Sequence, residues 1–164
     1  MPPVTVPALN ADWPAFQPEN LAALGPVLCL HAATDPHLLS GWTRATHSYA
    51  SVTLDSDGPC EGICFLDAAG ACCWQLQRLP DSDFMGWEQL LSTLPRSADA
   101  PLRPSHWLRH WPACISKRWR GCAVRLHTLP GPRGSARLAA TDVALSGLGQ
   151  GCAQRLARFA GATL

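Results

Sequence analysis

Glu61-Gly62-Ile63-Cys64-Phe65-Leu66-Asp67-Ala68-Ala69-Gly70, with the run from Cys72 through Leu94 behind it, decides how this chain folds. Residues 62–66 form a short apolar run. Asp67-Ala68-Ala69-Gly70 offers a side-chain acceptor and a glycine for a tight turn, and 72–79 returns as a second strand. Pro80-Asp81-Ser82-Asp83 then places capping oxygens and negative charge ahead of Phe84, Trp87, Leu90, Leu91 and Leu94, which recur at the spacing of one helix face. The pattern predicts a β-hairpin pairing 61–66 with 71–79, followed by a helix over 83–94 packed on the sheet through Phe84, Trp87 and Leu91.

Outward from this unit, the Pro-rich residues 1–15 read as a loose arm. Pro18 and Glu19 suit a first helical turn that Gly25 stops, giving a helix near 18–24. Residues 27–30 read as a buried strand and 49–54 as an alternating one, ended by Asp55-Ser56-Asp57-Gly58-Pro59. Residues 95–104 are a polar, proline-bearing connector. Beyond it come a strand over 122–129, a turn at Pro130-Gly131-Pro132-Arg133-Gly134, a return strand over 135–140 and a closing helix over 152–159, whose earlier turns are weakened by Gly147, Gly149 and Gly151. The sum is one α+β domain over 1–164, an antiparallel sheet with packed helices, in which the hairpin-plus-helix order occurs twice and so suggests a two-unit structural repeat.

The chain has 164 residues, 47% of them hydrophobic, enough for a real core. The opening MPPVTVPALNADW has neither a positive cluster nor an apolar run, and no stretch reaches the roughly 18 apolar residues of a membrane span, so a cytoplasmic protein without a membrane span is expected. Most of the eight cysteines are then read as buried thiols rather than a disulfide framework. The net charge of +1 hides an asymmetry: ten acids against Arg44 and Arg78 in residues 1–95, and nine cations against Asp99 alone in 96–137. Such a basic block suits carboxylates, phosphates or an acidic partner, or else neutralises the acidic half across the fold.

No phosphate-binding glycine loop, nucleophile elbow, H-E-x-x-H or C-x-x-C occurs. Cys60 and Cys64, and the adjacent Cys72-Cys73, have no zinc-site spacing on strands that alternate their side chains. His106 and His110 stand four apart and share a helix face, but with Trp107 and Trp111 at the same spacing a packing helix accounts for them. His31, His37 and His47 flank the early strands and each offers a nitrogen to iron. Tyr49, two residues from His47, lies on the same sheet face as His47. Arginines among Trp107, Trp111 and Trp119 could hold single-stranded nucleic acid or an anionic macrocycle, and the pI near 7.6 argues against nucleic acid. No catalytic pair is positioned by spacing, so binding rather than turnover is expected.

The run from Glu61 to Gly70, the return strand to Leu79 and the helix led by Ser82-Asp83 resemble a hallmark of the bacterial haem-utilisation family of HemS, ChuX and HutX type. In that family a strand ending in Phe-Phe-Asp-x-x-Gly turns into a second strand and then a Ser-Asp-led helix. The likeness covers 61–95 well and 25–95 loosely. It departs at Cys72-Cys73-Trp74-Gln75, where the family carries a Val-His-Lys-like stretch, and in the residues that follow the helix. The resemblance implies cytoplasmic haem binding for uptake and use, as carrier or store with a link to haem breakdown. It also implies a haem-uptake or haem-degrading partner protein and a dimer or internally duplicated chain. His31, His47 and Tyr49 then stand as alternative axial donors, and Arg109, Arg118 and Arg120 as partners for the propionates. The alternative is a non-enzymatic regulatory module that presents 96–137 to an acidic partner or nucleic acid.

Overall fold

A computed structural model describes residues 4–7, 14–55, 57–96 and 118–164. Its elements in chain order are β1 (Val4–Pro7), α1 (Pro18–Ala22), β2 (Pro26–Ala32), α2 (Ser40–Arg44), β3 (His47–Asp55), β4 (Gly58–Leu66) and β5 (Cys72–Arg78). They continue with α3 (Phe84–Thr93), β6 (Trp119–Pro130), β7 (Ala136–Asp142), α4 (Gly147–Phe159) and β8 (Ala162–Thr163). The strands form one sheet in the order β1-β7-β6-β2-β5-β4-β3, antiparallel throughout, with β8 added parallel to β6. Among the described residues no helix is long and apolar enough to cross a membrane.

β2 is the spine. Val27, Leu28 and Cys29 are fully buried and Leu30 nearly so, because both sheet faces are covered at this strand. Val27, Cys29, Phe65, Trp74, Leu76 and Val124 line a first face, under the first three helices with Phe16, Leu21, Leu24, Trp42 and Trp87. Leu28, Leu30, Cys64, Leu66, Cys72 and Trp119 line the second face, under Cys152, Ala153 and Leu156 of α4.

The expected hairpin forms as β4 and β5. Asp67 Oδ1 accepts from the backbone N–H groups of Ala69 and Ala71 at 2.9 and 3.0 Å, and Gly70 takes φ +77°. The pairing slips by one residue after Phe65, so that Phe65 faces Trp74 while Leu66 faces Cys72, and Cys73 is the extra residue of a bulge. In α3 the Asp83 carboxylate accepts from Gly86 N–H at 2.9 Å as an N-cap, and Trp87, Leu90 and Leu94 are buried. Leu91 packs at the core's margin, but Phe84 does not join it. Phe84 is 50% exposed at the first helical position, with the Arg78 guanidinium 4.6 Å above its ring, so cation–π contact replaces core packing there.

The second hairpin and its helix also form, and α4 begins at Gly147 rather than at 152. Of its glycines, Gly149 suits a crowded entry. Ser146 caps Gly149 N–H at 3.0 Å, and Asp81 in turn accepts from both Ser146 N–H and Ser146 Oγ at 3.0 Å. A Cβ at Gly149 would collide with that carboxylate. The two units attach to β2 in opposite sense, through the second strand of one hairpin (β5) and the first strand of the other (β6). The arm 1–15 is not loose throughout, since Val4–Pro7 pairs with β7 and Ala15 is buried. Of the connector 95–104, Pro95 receives the Ala50 N–H at 2.8 Å and Arg96 bridges Ala50, while 97–104 and the His106/His110 segment lie outside the described residues.

Candidate functional site

Strand order separates the sequence candidates into two groups. His31 sits near the end of β2, and β6 places Arg120 directly opposite it, so both side chains belong to the first face with Cys29 and Cys122. His47 and Tyr49 pair with Leu66 and Cys64, which puts them together on the second face, as alternation predicts. Two strands, β5 and β4, stand between β2 and β3, which is about 14 Å across the sheet. His31 and the His47–Tyr49 pair therefore cannot serve one small site. Arg118 is exposed just before β6, and Arg109 lies outside the described residues. Along β6, Arg120 and Arg125 fall on opposite faces, so these two cations of the basic block are separated by the sheet.

His31 carries the more constrained chemistry. It is 7% exposed, and its Nδ1 lies 3.2 Å from the Ala32 carbonyl oxygen. A carbonyl only accepts, so Nδ1 carries the hydrogen and the neutral ring keeps its lone pair on Nε2. The Cys122 sulfur is 3.9 Å from that nitrogen. Burial holds the imidazole below its ordinary pKa, and Arg120 and His37 push the same way, against the Ala32 hydrogen bond and the Asp35 carboxylate. Asp35 is itself clamped by both guanidinium nitrogens of Arg44, at 2.8 and 3.2 Å. Burial also pushes the thiols of Cys29 and Cys122 up, so they stay protonated at neutral pH. Among the described residues no group of three or more His, Cys, Asp or Glu side chains could hold a metal ion. The first face thus carries one neutral nitrogen donor at His31 with Arg120 opposite it on the neighbouring strand.

The second face holds what alternation alone missed. Cys64 and Cys72 bring their sulfurs to 3.0 Å, Gln75 Nε2 donates to Cys72 Sγ at 3.3 Å, and Gln77 Nε2 donates to Gln75 Oε1 at 3.4 Å. Gln77 Oε1 is buried with no partner among the described residues. His47, by contrast, is exposed beside the Thr46 hydroxyl at 2.9 Å.

The depressed His31 pKa has a consequence for stability. Between the ordinary histidine value near 6.5 and the lower folded value, the unfolded chain binds the proton and the folded chain does not. The stabilisation is complete above about pH 6.5 and is lost as pH falls through the folded pKa. Urea midpoints measured downward from pH 7.5 should fall more steeply for the native chain than for His31→Gln. Parallel slopes would show that His31 protonates equally in both states.

No family model matches the sequence, and no curated protein matches it. Among solved structures the chain is similar to holo-PhuS, described as a heme-binding protein from Pseudomonas aeruginosa, at 19% identity and a TM-score of 0.41. That likeness covers 60% of this chain and 36% of PhuS, so the chain spans little more than a third of that protein's length.

Proposed function

We propose that this chain binds haem reversibly in the cytoplasm as a carrier or store, with His31 as the axial donor and Arg120 against a propionate. The observation that carries the reading is the His31–Arg120 juxtaposition. A histidine kept neutral by burial, its Nδ1–H turned into a backbone carbonyl, presents Nε2 beside a guanidinium on the same sheet face. Haem supplies the open iron position that such a nitrogen fills, and the hydrogen bond at the other ring nitrogen orients the imidazole and raises its basicity. Arg120 is exposed and can pair with a carboxylate without first being desolvated. His31 itself is almost covered, so binding requires the Cys122 thiol to swing away from Nε2. The resemblance over 61–95 supports the same reading independently of this geometry.

Titration of the purified chain with ferric haem, followed at the Soret band, tests it. A saturable one-to-one shift is expected, abolished by His31→Ala and kept by His47→Ala and Tyr49→Phe. Arg120→Glu should weaken binding by about 2- to 10-fold, since an exposed ion pair is worth at most about 1 kcal/mol and the reversed charge adds repulsion. If His47→Ala or Tyr49→Phe abolishes the shift instead, the ligand lies on the other face. A spectrum matching free haem overturns the haem reading altogether.

A further inference from the structure

We propose that Cys64 and Cys72 form a reversible disulfide across β4 and β5, making this hairpin a redox-sensitive modification site. The inference goes beyond haem binding and does not rest on it. The two thiols project from neighbouring strands onto the second face, and their sulfurs stand 3.0 Å apart. That is closer than the roughly 3.5–4.0 Å at which even smaller carbon atoms rest without bonding, and about 1 Å of approach completes a bond of about 2.05 Å. The slip in register after Phe65 brings the diagonal pair together, since it shortens the offset between Cys72 and the strand carrying Cys64.

The surroundings distinguish the two sulfurs. Cys72 receives the Gln75 amide at 3.3 Å, a donor that favours the thiolate, and its Sγ lies farther, at 3.9 Å, from the Trp74 carbonyl oxygen, which favours the thiol. Cys72 is therefore assigned as the attacking sulfur, through the minor thiolate fraction a buried thiol keeps, and Cys64 as the resolving one. The adjacent Cys73 cannot substitute. It faces the other side of the sheet, its thiol directed at the carbonyl oxygens of Gly41 and Phe65 at 3.2 and 3.4 Å. Cys64 and Cys72 are 6% and 4% exposed, so the oxidant proposed is a small hydroperoxide rather than a bulky disulfide reagent. The Cys72 thiolate attacks one peroxide oxygen, the O–O bond breaks, and the other oxygen leaves as water or an alcohol, giving a sulfenic acid. The Cys64 thiol then attacks that sulfur and its hydroxyl departs as water. Both thiols are oxidised by two electrons in all, the peroxide is reduced by two, and a dithiol reductant reverses the bond.

The full chain, reduced and freed of reductant, is treated with hydrogen peroxide, denatured in alkylating reagent and cleaved before Asp57, Asp67 and Asp81. These cuts leave Cys64 on peptide 57–66 and Cys72 on peptide 67–80. The expected result is that the two peptides stay joined with the loss of two hydrogens, that two fewer than the eight thiols titrate, and that a dithiol restores them. Cys64→Ser and Cys72→Ser should each abolish the link, while Cys60→Ser and Cys73→Ser retain it. Fragmentation of the linked native peptides assigns the bond without any variant, should one fail to fold. Unlinked peptides carrying free or sulfinic cysteines, or a bond through Cys60 or Cys73, would overturn the proposal.

Discussion

Alanine in place of Trp74 is expected to lower the unfolding free energy by about 3–5 kcal/mol, read as a drop in the urea midpoint at unchanged slope. Trp74 is fully buried on β5, at the point where the helices of the first face meet the sheet. Its ring meets Phe65 edge-on with centroids 5.0 Å apart, and Phe65 meets Phe16 in the same manner at 5.7 Å, so one truncation loosens a chain of three rings. Its indole N–H also donates to the Leu38 carbonyl at 2.7 Å, which ties the loop before α2 to the sheet. Trp87 is just as buried, but its indole nitrogen finds no acceptor among the described residues. The two tryptophans should therefore part company on conservative substitution. Trp87→Ala should also cost about 3–5 kcal/mol, yet Trp87→Phe sheds an unsatisfied donor and should stay within about 1 kcal/mol. Trp74→Phe loses the bond to Leu38 and should cost about 1–3 kcal/mol. The reverse order of the two Phe variants would contradict the indole–carbonyl bond, and a Trp87→Ala loss below about half a kcal/mol would show that this helix face is not core.

Gly41→Ala is expected to destabilise by about 3 kcal/mol or more, the upper end of what overpacking costs. Gly41 is buried in α2 with its backbone pressed on β5. An added Cβ would collide with the Cys73 carbonyl oxygen and stand 2.8 Å from Trp74 Cβ. Neither atom is the far end of a flexible side chain, so relief requires α2 to lift off the sheet, and the Cys73 thiol would lose its approach to the Gly41 carbonyl at 3.2 Å. Gly147→Ala is the control. That glycine is exposed at the start of α4 with nothing near its would-be Cβ, and alanine there should stabilise by about 0.4–1 kcal/mol. Thermal or urea unfolding of the pair checks both signs; a Gly41→Ala variant as stable as the native chain would mean that α2 does not lie against β5.

The contrast between local and distant pairing explains what could be read from the residues alone. The 61–94 unit was legible because its strands are short apolar runs bounded by turn residues, its turn carries Asp67 and Gly70, and Asp83 caps the helix, all within about thirty residues. The shared face of His47 and Tyr49 followed from alternation in the same way. The placement of Phe84 did not, because a residue at the first helical turn fits the apolar spacing whether or not the sheet extends beneath it. The start of α4 was hidden because helix propensity penalises Gly147 and Gly149, while the reason for a glycine at 149, the Asp81 carboxylate, comes from a loop far away in sequence. The opposition of His31 and Arg120 depends on β2 pairing with β6, which no local pattern encodes. The approach of Cys64 to Cys72 depends on a bulge, and a strict period of two cannot foresee one.

The central position of β2 also sets the order in which the chain can be completed as it is made. One edge of that strand is met early by β5, but its other edge pairs only with residues 119–125, roughly ninety positions later. At ribosomal rates of about 5–20 residues per second, the Val27-Leu28-Cys29-Leu30 segment waits on the order of 5–20 s with one row of backbone donors and acceptors open. Nascent chains stalled between β5 and β6 should thus be the species most inclined to associate with one another and most dependent on chaperones. Release of β6 from the ribosome is then the event that closes the sheet.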